Sequence, residues 1–81
     1  MMARLSLLYF AALREATGLA REEVDSAAPD LAALYAEAAA RHGLAWPRQR
    51  LRVAVDGAFA RWEDPVREGS EVAFIPPVSG G

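Results

Sequence analysis

The C-terminal residues Pro76-Pro77-Val78-Ser79-Gly80-Gly81 combine features that suit a reactive chain end. Gly80 and Gly81 place no side chain beside the terminal carboxylate, so a nucleotide or a nucleophile can approach it closely. The carboxylate is ionised at neutral pH and reacts with nucleophiles only after conversion to a mixed anhydride, for which ATP is the natural reagent. We therefore predict that Gly81 is the catalytic position, through activation of its own carboxylate.

We predict that the five residues before Gly81 insert this end into another protein, namely Pro76, Pro77, Val78, Ser79 and Gly80. Two successive prolines remove two backbone donors and favour an extended course, so the strand before them must end. Six extended residues reach on the order of 20 Å, at about 3.3 Å per residue. A frayed terminus is the alternative interpretation. The prolines directly after an apolar strand, with Gly81 as the last residue, favour a flexible tail at 76–81 attached to a domain at 1–75.

The other polar candidates have simpler explanations. His42 is the only histidine, and its predicted position in the last turn of a helix explains it through the helix dipole. Because no second soft ligand accompanies it, no metal site is predicted. Glu22-Glu23 and Glu63-Asp64 are neighbours in sequence, so their side chains would point apart in a strand, and we assign them to solvent.

Arg48, Arg50 and Arg52 alternate along the chain and are predicted to share one solvated face, with a docking site for an acidic partner as the alternative.

Composition limits the classes of function. The 81 residues suffice for one domain with one core, and the net charge of -2 argues against a nucleic-acid partner. No cysteine is present, so any sulfur chemistry must come from a partner. No lysine is present either, which excludes lysine-linked chains of this protein. No apolar run is long enough to span a bilayer and no signal peptide is evident, so we expect a cytoplasmic protein without a membrane partner.

Apolar periodicity and turn residues predict five strands, one main helix and a shorter segment of one or two helical turns. The strands are expected at 4–10, 20–25, 51–55, 58–62 and 71–75, and the helices at 11–18 and between Asp30 and Gly43. Asp56-Gly57 is a strong hairpin signal. A mixed sheet of about five strands packed on the second helix gives an α+β fold.

Alternation along the strands predicts an apolar patch on the side of the sheet away from the main helix. Leu8, Phe10 and Ile75 fall on that side, near the tail. We predict that Phe10, Phe59 and Ile75 bind a partner protein. Completion of a small core is the alternative, because scattered apolar residues are common on protein surfaces.

Two stretches, FAALREATG at 10–18 and EGSEVAFIPPVSGG at 68–81, resemble the MoaD family, the small subunit of molybdopterin synthase, within the MoaD/ThiS superfamily. The resemblance spans the whole chain and implies the ubiquitin-like β-grasp fold. Asp56-Gly57, where asparagine is expected in many relatives, and Ser70, where aspartate is common, depart from the family pattern without touching the tail.

The resemblance implies a sulfur carrier that is not an enzyme on its own. A ubiquitin-activating-like adenylyltransferase would use ATP to adenylate Gly81, and a sulfur donor would convert the product to a thiocarboxylate. The tail would then enter the large subunit, in a heterotetramer, and donate sulfur to cyclic pyranopterin monophosphate to form the molybdopterin dithiolene. The carrier itself is expected to bind no cofactor and no metal.

Three other functions remain open at this stage. A carrier for thiamin thiazole synthesis would use the same tail chemistry with a different acceptor. A ubiquitin-like modifier would be joined to target lysines through Gly81. A plain β-grasp binding module, for example for RNA, is disfavoured by the acidic charge balance.

Overall fold

Within residues 2–77, which the computed structural model describes, the chain folds as five strands and two α-helices in the predicted order. A single 3₁₀ turn, Arg48–Arg50, precedes the third strand. In chain order the elements are β1 Ala3–Tyr9, α1 Ala11–Thr17, β2 Arg21–Ser26, α2 Leu31–His42, β3 Arg52–Val55, β4 Ala58–Ala60 and β5 Glu71–Ile75.

The strands form one mixed sheet in the order β2-β1-β5-β3-β4. β5 lies in the middle, parallel to β1 and antiparallel to β3, while β2 lies at an edge as predicted. The charged side chains of β2 suit an edge, where they discourage pairing with other chains. Because β5 is central, the chain leaves the sheet at Ile75 between two neighbouring strands.

α2 begins and ends where the sequence predicts. The side chain of Asp30 accepts a hydrogen bond of 2.8 Å from the Ala33 backbone N–H, which caps the first turn. Gly43 ends the helix with a φ of 66°, in the left-handed region that glycine adopts without strain. In the described part of the chain, no helix has the length and apolar character needed to cross a membrane.

The core lies between α2 and one face of the sheet. Phe74 of β5 is completely buried, with its ring 5.0 Å from that of Tyr35 on α2 and 6.2 Å from that of Trp62. Such aromatic contacts add to the free energy gained by burying apolar area. The side chains buried to 2% exposure or less include Leu5, Leu7, Tyr9, Leu13, Leu31, Leu34, Val53 and Val72.

Arg48, Arg50 and Arg52 are all exposed, but they do not lie on one extended strand. Residues 48–50 form the 3₁₀ turn, in which the Arg50 N–H donates to the Pro47 carbonyl and the Leu51 N–H to the Arg48 carbonyl. These local bonds remove Arg48 and Arg50 from any sheet ladder. Only Arg52 belongs to β3.

The fourth strand also ends earlier than predicted, at Ala60 and not at Trp62. The Trp62 carbonyl accepts a hydrogen bond of 2.9 Å from the Ala32 N–H in the first turn of α2. The Asp64 carbonyl does the same for the Leu31 N–H, at 3.0 Å. The chain therefore leaves the sheet edge to satisfy backbone donors that a helix cannot satisfy itself.

Candidate functional site

The root of the C-terminal tail is held by the centre of the sheet. Ile75, the last residue of β5, is paired with Arg52 of β3. Pro76 is buried beside it, whereas Pro77 is exposed. The predicted site residues Val78, Ser79, Gly80 and Gly81 lie outside the described residues. β5 thus ends at Ile75, and neighbouring strands support it on both sides.

The face of the sheet opposite α2 carries an apolar groove of about 270 Å³. The three residues predicted to bind a partner, Phe10, Phe59 and Ile75, all line it. Phe10 is 46% exposed and Phe59 is 68% exposed, so these two rings do not complete the core. The groove is also lined by Leu8, Ala54, Gly57, Glu71 and Ala73.

Two alanines form the floor of this groove, and the sequence analysis did not single them out. Ala54 of β3 and Ala73 of β5 are directly paired across the sheet. Their neighbours in each strand face the core, so strand alternation was the signal that could have found them. Because alanine side chains are short, the phenylalanine rings rise above this floor and create the concavity.

The Asp56-Gly57 hairpin closes one end of the groove and is tied to the central strand. Asp56 and Gly57 have φ values of 50° and 87°, the signs that a type I′ turn requires at both central positions. The Asp56 N–H donates to the Glu71 carbonyl at 2.8 Å, and the Glu71 N–H donates to Asp56 Oδ1 at 2.9 Å. The predicted hairpin is therefore confirmed, and it stabilises the start of β5.

Ion pairs lie beside the groove, between the edge strand β2 and the start of β5. Arg21 lies 2.9 Å from Glu71 Oε2 and 3.0 Å from Glu23 Oε2. The Ser6 hydroxyl donates to Glu23 at 2.7 Å. These bonds from Ser6 and Arg21 lower the pKa of the Glu23 carboxyl. Arg21, Glu23 and Glu71 thus already pair with one another beside the apolar groove.

Glu22 points to the other side of β2, so the expectation that Glu22 and Glu23 point apart is confirmed. The prediction that Glu22 lies in solvent is wrong. The Tyr9 hydroxyl donates to Glu22 at 2.8 Å, His42 Nε2 lies 3.0 Å away, and Arg41 Nη2 lies 3.3 Å away. Burial by itself would raise the pKa of Glu22, but the hydrogen bonds from these three residues outweigh it and lower the pKa.

This Glu22 cluster joins α2 to β1 and β2, on the face away from the groove. Burial, and then the nearby Glu22 carboxylate, raise the pKa of Tyr9, so its hydroxyl stays protonated as a donor. The His42 ring stands edge-on to Tyr9, with ring centroids 5.7 Å apart. No group of three or more histidine or acidic side chains within residues 2–77 is arranged to hold a metal ion.

A second depression, of about 350 Å³, lies beside the tail root. Arg50 and Arg52 line it, together with Pro76 and Pro77. The Arg52 guanidinium carbon is 5.4 Å from the centroid of the Phe59 ring, so one phenylalanine borders both depressions. The apolar groove, the arginines and the start of the tail thus form one continuous surface.

A mixed five-stranded sheet crossed by one long helix, with the chain end leaving the central strand, defines a ubiquitin-like protein of the β-grasp fold. Comparison of sequences then gives the family. The chain belongs to the ThiS family, with a match over residues 7–81. The molybdopterin synthase sulfur carrier subunit of Escherichia coli is 38% identical over 80 residues, which cover 95% of this chain and 99% of that protein. The resemblance to MoaD proteins is confirmed.

Solved structures agree on the fold. SAMP1 from Haloferax volcanii superposes with a TM-score of 0.83 at 24% identity, covering 98% of this chain and all (100%) of that one. The TM-score is 0.64, at 24% identity and with 100% of both chains covered, for a chain from the complex of subunits 1 and 2 of the molybdopterin-converting factor from Helicobacter pylori. At these identities the likeness shows the β-grasp architecture alone.

Proposed function

We propose that this chain is the sulfur carrier subunit of a molybdopterin synthase and that Gly81 carries the sulfur. The observation that supports it most strongly is the 38% identity, over 95% of the chain, to a protein named for that function. The fold is consistent with it, since the central strand β5 leads directly into the Pro76-Pro77 root. Pro76, Pro77, Val78, Ser79 and Gly80 then serve to introduce Gly81 into a partner.

The chemistry takes place at the terminal carboxylate. An oxygen of Gly81 forms a bond to the α-phosphorus of ATP, and pyrophosphate leaves. Sulfur that the donor releases as hydrosulfide then attacks the carbonyl carbon and AMP leaves, so that sulfur replaces one oxygen and a thiocarboxylate results. An adenylyltransferase related to ubiquitin-activating enzymes performs the first step. Because glycine has no Cβ, the reagents can reach the carbonyl carbon from either side.

The open face supplies the docking surface in this proposal. Phe10, Phe59 and Ile75 bind the large subunit, and the same surface is available to the adenylyltransferase in an earlier encounter. Docking beside the tail root orients the tail toward the partner's pocket. The large subunit, in a heterotetramer, supplies the active site at which sulfur passes to cyclic pyranopterin monophosphate. The carrier itself needs neither a bound cofactor nor a metal, and ATP is consumed by the activating enzyme in the cytoplasm.

Intact-mass spectrometry tests the proposal. After incubation with ATP, a MoaD-activating adenylyltransferase and a sulfur source, the chain should gain roughly 16 Da as one oxygen becomes sulfur. The same mixture without ATP is the control and should leave the mass unchanged. An unchanged mass with ATP, when the enzyme thiolates its own carrier in parallel, would contradict the proposal.

A carrier for another pathway is the second candidate, and the family match favours keeping it because the family as a whole bears the ThiS name. Affinity capture from an extract of the source organism separates the two. Recovery of a molybdopterin synthase large subunit supports the first candidate, and recovery of a thiazole synthase supports the second. Conjugation through Gly81 to target proteins would instead produce covalent bands of higher mass that persist in denaturing gels.

A further inference from the structure

The arginines without a carboxylate partner are concentrated near the tail root. Among residues 2–77, the arginines that form ion pairs within 4 Å are Arg4, Arg21, Arg41 and Arg61. Of the remaining five, three lie at positions 48, 50 and 52. No aspartate or glutamate occurs anywhere between Glu37 and Asp56. In a chain of net charge -2, this segment is therefore a local excess of positive charge.

Two of these arginines are held by aromatic rings. The Arg50 guanidinium carbon lies 5.4 Å from the centroid of Trp46, and that of Arg52 lies 5.4 Å from the centroid of Phe59. Contact with a ring restrains a guanidinium while leaving the N–H groups on its edge available. The pair therefore loses less side-chain entropy on binding a carboxylate than two freely rotating arginines would.

The position of this arginine pair relates it to the tail. Arg52 is the strand neighbour of Ile75, and both arginines line the 350 Å³ depression that also contains Pro76 and Pro77. Four further residues separate Pro77 from the chain end, and an extended chain of that length spans about 13 Å. When the tail is inserted, the arginines face the surface around the opening of the pocket and not the reacting carboxylate.

We propose that Arg50 and Arg52 bind an acidic segment, with aspartate or glutamate side chains, at the rim of the pocket in the large subunit that receives the tail. This inference rests on the proposed function. The guanidinium groups supply paired N–H donors that match carboxylate oxygens. The apolar groove buries area without selecting for charge, whereas the arginines steer the approach and fix the orientation in which the tail meets its pocket.

Charge reversal tests this assignment. We compare R50E and R52E with wild type for binding to the purified large subunit, measuring association rates by stopped-flow fluorescence at several salt concentrations. At low ionic strength each reversal should slow association about tenfold, because rim charges act mainly on the association rate. The difference should shrink at about 0.5 M salt, where charges are screened within a few ångströms.

R67E is the matched control. Arg67 is exposed, forms no ion pair within residues 2–77, and precedes β5 at the end of the strand away from the tail. R67E changes the net charge by the same amount as R50E or R52E. Because it lies away from the tail, its association rate should stay within about twofold of wild type. R52K keeps the charge and should recover most of the lost rate.

The outcomes separate this inference from the proposed function. If wild type binds the large subunit and R50E and R52E behave like R67E, the arginine assignment is wrong while the carrier function stands. If wild type does not bind and gains no sulfur, both are wrong. A basic segment also suits nucleic acid, so binding to single-stranded RNA is measured in parallel. Binding of RNA that R52E abolishes, with association to the large subunit unchanged, would overturn the assignment to a protein partner.

Discussion

For Glu22, the sequence predicts correctly which side of β2 the side chain faces, but the prediction that it lies in solvent is wrong. Strand alternation is a local property, and it predicts that Glu22 and Glu23 face opposite sides of β2. It does not say what covers each side. Tyr9, Arg41 and His42 come from β1 and α2, so their meeting at Glu22 depends on tertiary packing that no short stretch of sequence contains.

The Glu22 cluster predicts a specific dependence of stability on pH. The folded state lowers the pKa of Glu22 below its ordinary value of 4.5. A carboxyl whose pKa is lower in the folded state stabilises the fold at any pH above its pKa in the unfolded state. That contribution is lost as the pH falls through its pKa in the folded state. E22Q should reduce the free energy of unfolding by about 1–2 kcal/mol at pH 7. In urea titrations, the difference in free energy of unfolding between E22Q and wild type should become smaller below about pH 4.5.

E63Q provides the matched comparison for this prediction. Glu63 pairs with Arg61 at 3.3 Å, but the two side chains are 71% and 80% exposed, so water already solvates both charges. E63Q should follow the wild-type pH profile throughout. A gap for E22Q that stays constant from neutral to acid pH would show that Glu22 is not stabilised as a carboxylate.

At the scale of the elements, the sequence predicts well what local chemistry decides. Asp30 and Gly43 bound α2 because a helix needs a side-chain acceptor at its start and a left-handed residue at its end. Asp56-Gly57 forms the hairpin because few residue pairs tolerate two positive φ values. The prediction that β4 reaches Trp62 is wrong, because the Trp62 carbonyl accepts a hydrogen bond from α2, which lies far away in the sequence.

The open face of the sheet predicts a separation of binding from stability. F59A should leave the free energy of unfolding within about 0.5 kcal/mol of wild type, because the ring is 68% exposed. It should weaken binding to the large subunit by about 1–2 kcal/mol, roughly five- to thirtyfold, as truncation of an aromatic contact does. Most of this loss comes from apolar contact area, so most of it should persist at high salt, where any part that acts through Arg52 is screened. Calorimetric titration measures it.

L19A is the control for F59A, because Leu19 is 38% exposed and does not line the groove. It removes a comparable apolar side chain and should leave the affinity unchanged. Equal affinities for F59A and wild type would rule out the groove as the docking surface.

In the whole molecule, the two faces of the sheet have different roles. One face packs on α2 and forms the core, while the other presents the groove and the arginine pair. The sequence predicts which residues fall on each face, including Phe10, Phe59 and Ile75. It does not predict that β5 lies between β1 and β3, because strand order depends on long-range pairing. That central position is what brings the tail root beside the groove.

If the chain end is itself the sulfur reagent, an isotope of sulfur placed at Gly81 must appear in the product. The chain is loaded with ³⁴S at Gly81, purified, and mixed with the large subunit and cyclic pyranopterin monophosphate without any other sulfur source. Our account predicts that ³⁴S appears in the dithiolene product and that the carrier returns to its unmodified mass. A product that contains no ³⁴S, or a carrier that keeps its label while product forms, would contradict it.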